Sequence, residues 1–153
     1  MGRQIERKLH RYGDRILERP EFEQAMQQTH HKRTTVGKHT LNVAAAAIGI
    51  CIVLDKVHIK VKEEDVVEGA LLHDLGILGR HEKYKDNHEC LRRHAEDSVK
   101  TAREILPELS ENTEGIIRSH MWPLFGSRPR TKEAVIVSAA DKIASIRDWV
   151  SKN

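Results

Sequence analysis

Residues 66–79 read VVEGALLHDLGILG, and the way this stretch is read decides the fold. Val66, Val67, Ala70 and Leu71 recur at spacings of three and four, the signature of one apolar helix face. Asp74 continues that face, and Gly76 and Gly79 close the helix. A helix over 63–74 therefore carries an imidazole and a carboxylate, His73 and Asp74, toward a protein interior. Burying such groups among apolar neighbours costs several kcal/mol unless something pairs with them. The rest of the sequence has to supply that partner.

Working outward, helical periodicity recurs on both sides. Residues 3–19 place Ile5, Leu9, Tyr12 and Ile16 three or four apart, and Pro20 opens a short second helix to about Gln28. A polar connector, 30–38, leads into 36–55, which is apolar around most of its circumference and reads as a central buried helix. Beyond the loop 56–62 and the 63–74 helix, a polar stretch runs to Glu89, followed by a helix over 91–106 that ends at Pro107. Ser110 is placed to cap a helix reaching about His120, and Thr131 to cap a last one ending near Val150, after a loop 122–130 with two prolines and a glycine. The expectation is an all-α, compact single domain, a bundle of about six or seven helices with no convincing strand.

Composition supports this and narrows the function classes. The 153 residues allow one domain with a core, and 39% apolar with 32% charged residues argues against disorder. Aromatics are only 4%, so the core is aliphatic. Cys51 and Cys90 make no disulfide framework, and Cys51, in an apolar run, reads as a small core residue. Residues 1–19 are charged throughout, unlike a signal peptide, and the apolar run 43–54 is too short for a bilayer span. A cytoplasmic location with no membrane partner is expected. The net charge of +3 is modest, with nine Lys/Arg against five Asp/Glu in 1–38. That bias favours an anionic ligand, or is a solvated face.

Ten histidines is a high count, and their placement carries the argument. His39, His73, His94 and His120, with Asp74 and Asp141, fall on the apolar sides of separate helices or at their ends. His120 follows Ile116 and Ile117 by four and three, Asp141 lies between Val137 and Ala144, and His94 lies three beyond Leu91. One buried histidine is usually a hydrogen-bonded core residue, but six such groups converging from different helices call for a shared partner, and a metal centre is the simplest. Imidazole and carboxylate without thiolate suit a divalent transition metal, Fe or Mn first, with Co, Ni or Zn as alternatives. Four His and two Asp exceed the needs of one catalytic ion and suit two ions sharing a bridging carboxylate. In such sites one ion activates a hydroxide and both clamp the phosphoryl oxygens during in-line attack.

The ordered set His39, His73-Asp74, Asp141 resembles the H…HD…D signature of the HD-domain superfamily of metal-dependent phosphohydrolases, and His94 and His120 resemble the two further histidines of its binuclear members. The strings GKHTLNVA, EGALLHDLG, SHMWPL and SAADKIASI carry the likeness, the last two resembling small stand-alone bacterial HD-domain proteins with an HMWPL element. The resemblance covers roughly 30–150, leaving 1–29 as an N-terminal helical extension and 151–153 as a tail. It implies that His39, His73 and Asp141 bind a first ion, that Asp74 bridges, and that His94 and His120 complete a second; without His94 as a ligand the site is the mononuclear form made by His39, His73, Asp74 and Asp141. His73 and Asp74 are then the catalytic pair. The implied activity is hydrolysis of a nucleotide or other small phosphate ester, mono- or diester, through a metal-activated hydroxide.

The likeness has departures that bear on substrate. Ile77 stands where cyclic-dinucleotide phosphodiesterases of this kind commonly carry Lys, no GYP-type motif follows, and 73–78 lacks the HDxxED pattern of guanosine tetraphosphate hydrolases. Phosphate charge must be met elsewhere, with Lys142 beside Asp141 as first candidate, then Arg118, Arg128 and Arg130. His81, in the polar stretch 79–89 with His88, is a candidate general acid in a lid. Trp122 either stacks a nucleobase or plugs the core. His10, His30, His31 and His58 lack the convergence and read as solvent-facing or supporting residues. Two rival functions stay open: a di-iron oxygenase on the same ligand set, and a non-catalytic, metal-stabilised nucleotide- or RNA-binding module. The latter lacks an aromatic-interleaved basic patch, so nucleic acid is not the expected partner. A homo-oligomer is compatible with the sequence.

Overall fold

The computed structural model describes residues 1–31 and 33–151, the side chain of His31 excepted. The expectations for His31 and for the last two residues of the tail therefore lie outside the described residues. Eight α-helices are present among the described residues: α1 (Arg3–Leu17), α2 (Pro20–Gln27), α3 (Val36–Lys56), α4 (Glu63–Leu72), α5 (Arg80–Lys83), α6 (Asn87–Ile105), α7 (Glu111–Ser119) and α8 (Lys132–Val150). The fold is all-α. The count exceeds the expected six or seven because the polar stretch after Gly79 folds into the one-turn helix α5. Helix α6 also starts four residues earlier than expected, because Asp86 caps it by accepting a hydrogen bond from the Glu89 amide at 2.8 Å. The connector contains a small antiparallel ribbon, β1 (Thr29–His31) and β2 (Thr34–Thr35), too short for alternation to reveal.

The helix starts follow the capping logic of the sequence. Ser110 and Thr131 accept hydrogen bonds from the Thr113 and Ala134 amides, and Thr35 caps α3 through the Lys38 amide. Helix α4 is the hub: it packs against α1, α3, α6, α7 and α8. By length and composition α3 could cross a membrane, yet it is the central helix here, with half of its apolar window buried against its neighbours. Leu9, Ile16, Phe22 and Ala25 of α1 and α2 join the same aliphatic core as Val43, Ile48, Leu71, Val99 and Ile117, so the first two helices are part of the packed body.

The segment after α4 is held on three sides. Residues Leu75–Ile77 form a 3-10 turn, and Gly76 lies so close to α6 that a Cβ there would meet the Ser98 amide nitrogen at 2.3 Å and the His94 carbonyl oxygen at 2.5 Å. The Gly76 amide donates to Ser98 Oγ at 2.8 Å, and its carbonyl accepts from Lys83 Nζ at 2.6 Å. Tyr84 donates to buried Asp97 at 2.6 Å beside the same carbonyl. From the other side the Gln28 amide brackets the turn, donating to the Ile77 carbonyl and accepting from the Gly79 amide, both at 2.8 Å. Gly79 takes a φ of 71°, the left-handed conformation that lets the chain turn into α5.

Gly76→Ala is accordingly expected to destabilise the protein by about 2 kcal/mol or more, because the added methyl meets backbone that cannot rotate away. Denaturant unfolding measures it; a change under about 0.5 kcal/mol would show that the turn stands off α6 in solution.

Candidate metal centre

The six candidate ligands come from five helices or their ends. His39 sits in the first turn of α3, His73 and Asp74 follow the last turn of α4, His94 is mid-α6, His120 follows α7, and Asp141 is mid-α8. The four histidines and Asp74 are buried, and Asp141 is nearly so. The structure brings all six together. Asp74 lies at the centre, and its two oxygens face different partners. Oδ2 is 3.4 Å from His73 Nε2 and 3.8 Å from His39 Nε2, whereas Oδ1 is 3.3 Å from His94 Nε2 and 3.4 Å from His120 Nε2. Asp141 Oδ1 closes the first group at 3.0 Å from His39 Nε2 and 3.6 Å from His73 Nε2.

All four imidazoles are turned the same way by their outward nitrogens. His73 Nδ1 donates to the Ala70 carbonyl at 2.7 Å and His120 Nδ1 to the Ile117 carbonyl at 2.6 Å. Both acceptors are last-turn carbonyls; that of Ile117 also accepts from the His120 amide at 3.5 Å. His94 Nδ1 donates to the Cys90 carbonyl at 2.8 Å, and His39 Nδ1 to Asp148 Oδ2 at 3.0 Å. With Nδ1 bonded outward, each ring in its neutral form presents its Nε2 lone pair inward, the tautomer a metal ligand needs.

Two residues of this cluster escaped the sequence reading. His30, expected in solvent or a supporting role, is a correction: its Nε2 lies 3.5 Å from Asp74 Oδ2 and its ring is 4.7 Å from that of His39, centre to centre. His30 sits on β1, where no helical period could flag it, beside the Gln28 clamp and with its carbonyl held by Arg80. Asp148 lies two helical turns beyond Asp141, a spacing that would have put it on the same face of α8. It supports His39 and also accepts from Asn42 Nδ2 at 3.4 Å.

The donor set fits a divalent cation. Three groups bring their ligand atoms within 4.8 Å of one another: His30, His39, Asp74; His39, His73, Asp141; and His73, Asp74, His120. His73 Nε2 is buried with no hydrogen-bond partner among the described residues. His94 and His120 point their Nε2 atoms at each other across 3.0 Å, which sets lone pair against lone pair unless a proton or a cation lies between. The donors are the N/O set typical of first-row transition metals.

The electrostatics point the same way. Burial alone would lower the His73 pKa, but the Asp74 charge and the contacts with Asp141 hold it well above the usual imidazole value. Burial is likewise overridden at His39 by Asp141 and Asp74, and at His94 by Asp74, so both are raised. At His120 burial wins and the value falls. Burial would raise Asp74, but the His73 charge and bonds from His120, His73 and His94 hold it far below the usual carboxylate range; bonds from His39 and His73 do the same for Asp141.

The remaining candidates lie apart from this focus. Lys142 Nζ points at the end of α7, donating to the His120 carbonyl at 2.9 Å and to Ser138 Oγ at 3.1 Å. Arg118 is ion-paired with Glu96 at 2.9 Å and Glu114 at 3.2 Å. Arg128 and Arg130 are exposed in the loop before α8, and His81 is exposed on α5. His88 rests edge-on against Phe125, and Trp122, 42% exposed, is no core plug. Leu91, used to mark the apolar face of α6, is 44% exposed although His94, one turn on, is buried.

The family model of the HD domain matches residues 36–146, and the chain belongs to that family. No curated protein and no solved structure matches the chain. The HD family includes metal-dependent phosphohydrolases, and the buried His/Asp cluster is compatible with metal binding. All six clustered residues from the H, HD and D positions and the two intervening histidines lie within the matched span, whereas His30 and Asp148 lie outside it.

The raised histidines set a sign for metal binding. A cation must displace their protons, so apparent affinity rises with pH. Between pH 8 and pH 6 the apparent Mn²⁺ affinity, measured by isothermal titration, is expected to fall by about tenfold or more, one decade per pH unit for each proton displaced. An affinity flat over that range would mean that the imidazoles are already neutral.

Proposed function

We propose that the protein is a metal-dependent phosphohydrolase that acts on a nucleotide or another small phosphate ester, with two divalent ions bridged by Asp74. The observation that carries this reading is the division of the Asp74 carboxylate. One oxygen faces His39, His73 and His30, and the other faces His94 and His120. A carboxylate serving one ion would not need imidazoles on both oxygens.

Bound divalent ions, Fe or Mn by ligand type, would polarise the phosphoryl oxygens and lower the pKa of water at the site. The chain's own residues do the rest. The outward Nδ1 bonds of His39, His73, His94 and His120 hold their rings fixed, so that no reorganisation is needed when charge develops. Asp141 and Asp74 keep negative charge next to the imidazoles and thereby favour cation binding. Asp148 orients His39 and keeps it a strong donor. Lys142 and Ser138 fasten the end of α7, and with it His120, to α8.

Protein loaded with Mn²⁺ or Fe²⁺ is expected to hydrolyse 4-nitrophenyl phosphate or its bis-ester, with Asp74→Ala slower by about 100-fold or more, the loss of a few kcal/mol of transition-state stabilisation. Elemental analysis should give two ions per chain in the wild type and one in His94→Ala. Equal turnover by metal-replete wild type and Asp74→Ala would sink the hydrolase reading. Turnover that requires oxygen would replace it with the oxygenase chemistry the same ligands support.

A further inference from the structure

Beside the His/Asp cluster, between α5 and α6, lies a cavity of about 250 Å³. His30 and His94 form the side nearest Asp74, so a molecule seated there touches the cluster. Ile77, Cys90 and Leu91 make an aliphatic wall, and the polar groups on the other side are Arg80 and Asn87. The volume falls below the roughly 300–1,000 Å³ of sites for drug-sized ligands. The volume suits a compact body.

Arg80 differs in setting from Arg15, Arg19, Arg93, Arg103 and Arg118, which are each paired with a carboxylate. Among the described residues Arg80 is held by neutral acceptors, Nη2 donating to Asn87 Oδ1 at 2.9 Å and Nη1 to the His30 carbonyl at 3.3 Å. These contacts fix the plane of the guanidinium without discharging it, and they use two of its five N–H groups. An oriented, partly exposed and uncompensated guanidinium at a cavity is suited to bind a carboxylate or phosphate through paired bonds. Its carbonyl partner and the ring facing Asp74 belong to the same residue, His30, so this second anion site lies one residue's breadth from the cluster.

We propose that Arg80 is the specificity-determining residue of the site. The substrate it selects is a small phosphate ester whose compact, largely apolar body carries a second anionic group, a carboxylate or a further phosphate, bound by Arg80 while the reacting phosphoryl group sits at Asp74. The placement of that phosphoryl group rests on the phosphohydrolase reading; the anion site at Arg80 does not depend on turnover.

The test therefore uses unreactive probes on the Mn²⁺-loaded full chain: phenylphosphonate, 4-carboxyphenylphosphonate and 1,4-phenylenebisphosphonate, by isothermal titration. Wild type is expected to bind at least one of the two doubly anionic probes about tenfold or more tightly than phenylphosphonate, the usual worth of a charge-assisted bidentate contact. The tighter of the two names the second anion. In Arg80→Gln, with folding checked by its melting temperature, the ratio should fall to within about twofold of one, and Arg80→Lys should recover only part of it. A wild-type ratio near one overturns the proposal without any variant, and so does a ratio that survives in Arg80→Gln. Discrimination by a protein that hydrolyses no phosphate ester would leave Arg80 as an anion site and remove the hydrolase reading. Hydrolysis without discrimination would do the reverse.

Discussion

The buried carboxylate of Asp74 is the interaction on which the rest of the structure depends. An isolated carboxylate in an apolar interior is too costly to remain ionised. Asp74 stays charged because five imidazoles from five different elements approach its two oxygens. The converse also holds: without that negative charge, several histidines would crowd together in the core with lone pairs opposed. The cluster is therefore a mutual arrangement, and a change at Asp74 is felt by α3, α4, α6, α7 and β1 together.

Holding one carboxylate at the meeting point of so many elements demands a rigid seat. Helix α4 ends at Leu72, and the backbone of the next residues is gripped by the side chains of Ser98, Lys83, Tyr84 and Gln28. Gly76 lets the 3-10 turn touch α6, and the Gln28 amide grips the same turn from the opposite side. The histidines are seated by a second economy. His73 and His120 give their Nδ1 protons to the last-turn carbonyls of their own helices. At His73 ring orientation and helix termination are satisfied by the same hydrogen bond.

How much of this was legible in the sequence depends on period and separation. Residues on long helices could be read, because a spacing of three or four states which face a side chain occupies. That is why His39, Asp74, His94, His120 and Asp141 stood out, and why the Ser110 and Thr131 caps fell where expected. His30 could not be read in this way, since a three-residue strand carries no period and the contacts around it join residues some fifty positions apart. Helix α5 was hidden because four polar residues after a left-handed glycine resemble a loop. Lys142 shows a different limit. Its place beside Asp141 was legible, but the direction of its side chain, toward the α7 terminus, is a product of packing. Asp148, two turns beyond Asp141 on the same face of α8, was within reach of the periodicity argument.

The asymmetry of the cluster bears on how its two halves would work. On the binuclear reading, the Oδ2 side gathers His30, His39, His73 and Asp141, enough donors to nearly fill a coordination shell. The Oδ1 side has only His94 and His120, and with Asp74 that makes three protein ligands, the number after which catalytic sites keep positions for water and substrate. His94 also borders the α5–α6 cavity, so the less complete half is the one a small molecule can approach. His30 joins both features, since its ring belongs to the fuller half while its carbonyl holds the guanidinium of Arg80. It lies outside the span matched to the HD family. The six residues within that span account for the metal chemistry the family suggests, and the cavity that would distinguish one substrate from another joins residues of α5 and α6 inside the span to His30 outside it.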